Sequence, residues 1–444
     1  VFLLLGLMQT GISLFIPEAA KELGMNSSQI SWALFLPNFI NAALLLPCSM
    51  LLDCFHEKKI FSLFIFLFFI GSLFCFFAYE FSYFFVGRLL QGIGMAVGMP
   101  GSYLIIKRYS QSIIQSHQTV FNTFMTVTSF FLIVNTFISG AMSAWFGWRW
   151  VFGLMSAIGM LILLLMLPRM PQQSSSKKFH FSNILFCSYI IAPSIACVSL
   201  IRYGLNIYSI LVLCVSVAIL WCGIKVNLNR CALNHTKVGK IALCLLNIFA
   251  IQSILSTSNL TVLACREVLG LTPQNSGLIL FYSMSIGIFT PLLSNKICSF
   301  MKEKTFLLIS SCLIAFSQLL IIASGYFINL EAMIIGRVFF AAVSTLLLTK
   351  CMWILLNEFD KSNEGFMSGV IQQTRYISGA ICLAFSSAIV FKNTAPENAI
   401  LSSSKFTLAM CCPFAICVLP LLYATFKIFE EKRLEKATKI SLNN

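Results

Sequence analysis

Four cationic side chains, Arg88, Arg337, Lys350 and Arg375, fall inside long apolar stretches of this chain, and no Asp, Glu or His lies deep in any of them. A charge held within a bilayer costs about 3 kcal/mol or more, so an ionisable residue there marks a solute pathway by default. Cations without a deep carboxylate describe a polar cavity that favours negative charge. The expectation is that at least three of the four converge on one cavity. Gln91 lies one helical turn from Arg88 on the same face. Lys350 follows Arg337 by thirteen residues in the same span. Gln372 and Gln373 precede Arg375. Uncharged lining in the first half would come from Gln9, Thr10, Ser13, Asn38, Asn41 and Asn135. Each of these residues also has a plainer use. A buried Arg can be satisfied by carbonyl oxygens, a long cation can reach the interface, and small polar groups join helices.

Enzymatic chemistry has no footing. The four His (His56, His117, His180, His235) lie between apolar runs, and the 17 Cys show neither metal-ligand nor disulfide spacing. No G-x-x-x-x-G-K-[ST] loop occurs. No metal, cofactor or catalytic residue is expected.

The elements that must position the cations follow from composition. Of 444 residues, 58% are hydrophobic and only 10% charged. Apolar runs of about 20 residues, enough to span a bilayer, recur along the chain. This predicts an all-α, multi-pass membrane protein of fourteen spans. The first six are placed near 1–17, 29–52, 60–78, 82–106, 119–144 and 150–168. Two more lie near 183–201 and 206–224. The last six lie near 241–263, 275–295, 305–325, 330–356, 365–391 and 404–426. The domain reading is a six-helix bundle over 1–168, linkers with an extra helix pair over 169–240, a second six-helix bundle over 241–426, and a tail over 427–444. The pair 183–224 should sit outside the central cavity. About 20 of the 30 Lys and Arg fall in alternate loops, among them 53–59, 169–181 and 225–240, or in the tail, which places these and both termini in the cytoplasm. The same bias accounts for the net charge of +15 without nucleic-acid binding. The chain opens on Val1, so the natural N-terminus is expected upstream.

The halves echo each other. Gly87-Arg88 in the fourth span is matched by Gly336-Arg337 in the twelfth, each a few residues beyond a short turn. Duplicated halves with a solute site between them are a transporter pattern. Several longer stretches strengthen it. The fourth span reads R-x-x-Q-G-x-G as Arg88, Gln91, Gly92 and Gly94. Trp148-Arg149-Trp150-Val151-Phe152 opens the sixth. Val268-Leu269-Gly270-Leu271-Thr272-Pro273 precedes the tenth. Leu51, Asp53 and Lys58 remain of a G-x-L-A-D-R-x-G-R-K turn, and Gly365, Ser368, Gly369, Arg375 and Gly379 punctuate the thirteenth span. In order and spacing these resemble the major facilitator superfamily, specifically its fourteen-helix drug:proton antiporter branch.

The resemblance implies two bundles rocking about a midplane site, energised by protons, in a bacterial inner (plasma) membrane. It makes Asp53 and Lys58 gate residues, while Gly92, Gly94 and Gly140 read as close-packing positions. Two departures matter. The first-span D-x-T-I-V-N-V-A-L-P of that branch runs here from Met8 to Pro17, with Met8 in place of the Asp. Of the fifth-span G-P-x-x-G-G only Gly140 remains. The leading expectation is a proton-coupled exporter of small organic molecules. The alternatives are a facilitator or exchanger of an organic anion without proton coupling, and a non-transporting membrane sensor.

Overall fold

The computed structural model describes residues 2–9, 11–54, 57–98, 117–166, 211, 212, 215, 235–301, 303–358, 364–390 and 403–442. The described secondary structure is helical throughout. In the first half, α1 (Phe2–Gln9) leads through a 3-10 turn (Gly11–Leu14) to α2 (Ile16–Glu22). Then come α3 (Ser27–Cys54), α4 (Glu57–Phe76), α5 (Phe81–Met95), α6 (His117–Phe146) and α7 (Trp148–Leu161), which ends in a π turn (Ile162–Met166). The second half holds α8 (His235–Ser256), α9 (Ser258–Glu267), α10 (Pro273–Ser299), α11 (Glu303–Phe327), α12 (Leu330–Glu358), α13 (Glu364–Val390) and α14 (Ser403–Leu442). Among the described residues, six stretches are long and apolar enough to cross a membrane by length and composition, including Lys58–Phe76, Gly239–Arg266 and Leu330–Leu355. Exposed Phe66, Phe74, Phe289 and Phe316 face outward from such helices, as lipid contact requires.

Two expected spans are broken rather than continuous. The first divides into α1, the 3-10 turn and α2, whose early Pro17 cannot donate a backbone hydrogen bond. The ninth divides at Thr257, between α8 and α9. Thus the first span of each half is interrupted. The tail extends α14 without a gap to Leu442, with Pro413 and Pro420 inside the helix. The expected linker 169–181 and most of the helix pair 183–224 lie outside the described residues. Of the loop 225–240, the last residues already belong to α8.

Turns at one face are chemically alike. Gly24 and Gly270 take left-handed backbone angles (φ 58° and 65°) directly after the first span of each half, where an L side chain would be strained. Asn26 and Gln29 then exchange side-chain-to-backbone bonds of 2.8 Å in a reciprocal cap for α3. Thr272 caps α10 just before Pro273 at its first position. Gly147 (φ 90°) and Ile328 (φ 52°) turn the chain at the same face.

The halves meet through two crossed pairs, α3 with α13 and α6 with α10. Each pair joins the second span of one half to the fifth of the other. Gly140 on α6 allows a close approach: a methyl there would lie 3.0 Å from the Pro273 carbonyl oxygen and 3.5 Å from the Gly277 Cα. Around this face one apolar core runs through both halves, joining Leu7, Phe35 and Phe152 to Leu260, Ile377 and Phe406. Toward the opposite face the apolar clusters divide. One, around Cys48, Phe61 and Val97, belongs to the first half. Another, around Ile248, Phe340 and Leu347, belongs to the second.

Candidate functional site

The matched arginines sit at the two helix breaks. A glycine precedes each for a packing reason. A methyl at Gly87 would meet the Gly71 carbonyl oxygen at 2.8 Å, and one at Gly336 would meet that of Ser317 at 3.1 Å. The missing side chain draws the fourth span of each half onto the third, and the next residue then reaches the first. Arg88 is wholly buried. Its Nη2 donates to the Met8 carbonyl oxygen (3.1 Å), its Nε to that of Ala33 (3.0 Å) and its Nη1 to Gln91 Oε1 (2.9 Å). Gln91 passes the chain on to Ser72 Oγ at 2.9 Å. Arg88 therefore satisfies a carbonyl beside the 3-10 turn, where regular helical bonding ends. Arg337 is also buried, and its Nη2 donates to Ser258 Oγ (2.9 Å), the first residue after the other break. Its Nε is buried without a partner.

Lys350 and Arg375 have other surroundings. Lys350 Nζ lies 3.4 Å from Glu303 Oε1, and Lys240 Nζ lies 2.7 Å from Glu303 Oε2. Lys240, foremost, and Lys350 hold the Glu303 carboxyl below its usual range. Arg375 is half-buried on α13. Its Nε donates to Gln252 Oε1 on α8 and its Nη1 to Gln372 Oε1, both at 3.1 Å. Gln372 is 1% exposed and its Nε2 has no partner. Gln373 is buried beside it. The four cations thus occupy four separate sets of partners rather than one cluster. Helical spacing gave the direction of each along its own helix but not the helix it would face.

Other expected residues fall as follows. Asn135 is buried on α6 against Gly6 of α1, where a methyl would lie 2.1 Å from Asn135 Nδ2. Asn38 is buried on α3, and Asn41 bonds back to the Pro37 carbonyl oxygen. Gly92 packs α5 on Pro37 and Ile40, and Gly94 packs it on Phe68. Lys58 is half-buried near the start of α4. Asp53 lies in the last turn of α3 and Gln9 ends α1, but both side chains, like Thr10 altogether, lie outside the description.

Several partners that matter were not legible in the sequence. Arg266, at the end of α9, donates to Glu18 of α2: Nη1 to Oε2 at 2.7 Å, and Nη2 to Oε1. The same Nη1 donates to the Leu14 carbonyl oxygen. Among the described ion pairs this one joins the halves. Leu14, Val262 and Leu280 form a buried apolar plug from both halves beside it. Arg266 looked like one more interfacial charge at a span end. The Trp148-Arg149 stretch is a clamp within the first half. Trp148 Nε1 donates to Glu22 Oε2 (2.6 Å), Arg149 pairs with Glu22 Oε1, and Arg149 Nη2 donates to the Ala78 carbonyl oxygen (2.9 Å). The guanidinium also stacks 4.4 Å from the Trp148 ring.

Comparison with known proteins agrees with this architecture. Residues 1–383 match the family model described as the Major Facilitator Superfamily. The chain is 28% identical over 178 residues to the methylenomycin A resistance protein of Bacillus subtilis (strain 168), a match that spans 39% of this chain and 38% of that relative's length. Among solved structures, an auto-inhibited POT family peptide transporter superposes with a TM-score of 0.66 at 16% identity, covering 96% of each chain. A proton:xylose symporter superposes at 0.62 with 13% identity, covering 95% of this chain and 93% of the other. Broken first spans pinned by matched arginines, crossed pairs between halves and a match over most of the length converge on one assignment: the chain belongs to the major facilitator superfamily and is an integral multi-pass membrane protein.

Proposed function

We propose that the protein is a proton-coupled exporter of small organic molecules that works by alternating access, with its termini in the cytoplasm of a bacterial inner membrane. The observation that carries this reading is the state of the seam. At the Gly24 face the halves are tied by Glu18–Arg266, by the Leu14–Val262–Leu280 plug and by a shared core. At the other face the described cores belong to one half each. A molecule closed at one face and divided at the other fits one end of a rocking cycle. The positive-inside count makes the closed face the outside, so a solute would load from the cytoplasm. The relative named for methylenomycin A resistance is in keeping with export.

A second reading has one observation behind it. Met8, wholly buried, stands where the antiporter branch carries its Asp, which favours an anion facilitator or exchanger without proton coupling. Proteoliposomes decide between them. Under the first reading, efflux of methylenomycin A or another organic solute rises with an imposed pH gradient and falls when the gradient is collapsed. Flux indifferent to the gradient favours the second. A purified, folded protein that moves no solute under any gradient would be a sensor, and both readings would fail.

A further inference from the structure

We infer that Arg375, Gln372 and Gln252 form the anchor of a solute subsite that takes a single carboxylate group, an inference that rests on the transporter reading above. Of the four intramembrane cations, Arg375 alone is neither paired with a carboxylate nor sealed. Lys350 has Glu303. Arg88 and Arg337 are 0% and 3% exposed and face the helix breaks. Arg375 remains half-buried, and among the described residues its Nη2 has no hydrogen-bond partner.

The neighbouring groups complete the argument. Gln252 and Gln372 each offer their amide oxygen to Arg375, which fixes the guanidinium plane and turns both amide nitrogens elsewhere. The Gln372 Nε2 donor is left buried and unpartnered, a cost that an incoming acceptor would remove. The site therefore offers one net positive charge, a free guanidinium edge and a carboxamide N–H on the same side of one helix. A carboxylate supplies two acceptor oxygens and one negative charge, matching both counts. A phosphate ester would bring a second charge for which no described partner exists, and a cation would be repelled. Position adds the link to transport. The carrier helix α13 packs on α8 of its own half and on α3 of the other, so a ligand at Arg375 sits where rocking changes its surroundings.

The test uses benzoate, benzamide, phenyl phosphate and benzylammonium on the full chain. In detergent, benzoate should raise the midpoint of thermal unfolding in a concentration-dependent way. Benzamide and benzylammonium should not, and phenyl phosphate should do so more weakly. Arg375→Gln should lower the apparent affinity for benzoate by about tenfold or more, and Arg375→Lys should recover only part of it, since the planar fork is lost. Should Arg375→Gln fail to fold, the benzoate–benzamide contrast in the unaltered protein still decides. Equal shifts from benzoate and benzamide, no shift from benzoate, or an undiminished benzoate shift in Arg375→Gln would each overturn the subsite. Solute flux in proteoliposomes separates the two levels. Flux of other solutes without benzoate binding rejects the subsite alone, whereas benzoate binding without any flux rejects the transporter reading and leaves a carboxylate site.

Discussion

In the first half Arg88 makes three hydrogen bonds, one of them to the Met8 carbonyl oxygen of the broken first span, and its network continues through Gln91 to Ser72. In the second half the matching break is held by one bond from Arg337 to Ser258, and Arg337 Nε stays unpartnered. The same glycine-arginine device has been installed twice and finished once. The second half also carries three of the four intramembrane cations, and among the described residues unpartnered buried amide atoms occur on Asn41 in the first half and on Gln318 and Gln372 in the second. Buried polar groups left unsatisfied are costly unless something else uses them. The difference therefore reads as a division of labour, with the first half a closed frame and the second half the one that meets solute.

The sharpest way to break this comparison is to remove both pins. Arg88→Leu leaves the Met8 and Ala33 carbonyl oxygens without their partner and should cost about 2–3 kcal/mol. Arg337→Leu should cost clearly less. Thermal unfolding of the two variants in detergent reads the order directly, and a reversed order would refute the frame-and-binder division.

Next in size is Gly140→Leu, which drives a side chain into the Pro273 backbone at 3.0 Å. Overpacking of this kind costs about 1–3 kcal/mol, and here it falls on the seam. Transport should drop severalfold while each half keeps its thermal stability; unchanged flux would mean that α6 and α10 do not need this approach.

A smaller effect is expected at the latch. Glu18 is 41% exposed and Arg266 12%, so screening limits the pair to about 1 kcal/mol. Glu18→Gln should then shift the closed population about fivefold. A cysteine reporter on the seam at that face would become more accessible to an impermeant reagent, and the double reversal Glu18→Arg with Arg266→Glu should restore protection. No change in labelling would show that the plug alone holds the face.

The smallest effect tests the clamp of the first half. Arg149, foremost, and then Trp148 hold the Glu22 carboxyl below its usual value of 4.5. A depressed folded value means the contribution is whole above about 4.5 and is lost as pH falls through the folded value. Glu22→Gln should therefore lower stability slightly at neutral pH and flatten the acid end of the stability curve, where variant and parent converge.

Much of the fold was legible in the sequence because bilayer thickness and hydrogen-bond satisfaction leave few solutions for long apolar runs. The twin Gly-Arg pairs announced the repeat, and Gly270-Leu271-Thr272-Pro273 announced a turn, a cap and a helix start. The breaks were harder. Pro17 hinted at the first, but Thr257 and Ser258 carry no strong signal, and the polar groups that tolerate the second break come from a helix far along the chain. The partners of the four cations were hidden for a similar reason. Periodicity orders side chains around one axis, and whether Lys350 meets Arg337 or Glu303 depends on the packing of three helices. Arg375 with its glutamines was legible as a cluster, whereas Gln252 became part of it only through tertiary contact.

The pinned break in the first span has a mechanical consequence. A helix interrupted beside Met8 would ordinarily be a hinge, yet a guanidinium bolted to that carbonyl removes the compliance. The matching break beside Thr257 is fastened by an arginine whose own Nε has no partner, and keeps its compliance. Strain applied at the seam would accordingly concentrate in the second half, bending α9 against α8 while the first half turns as a unit. Amide hydrogen exchange would record this as faster opening around residues 256–260 than around 8–12.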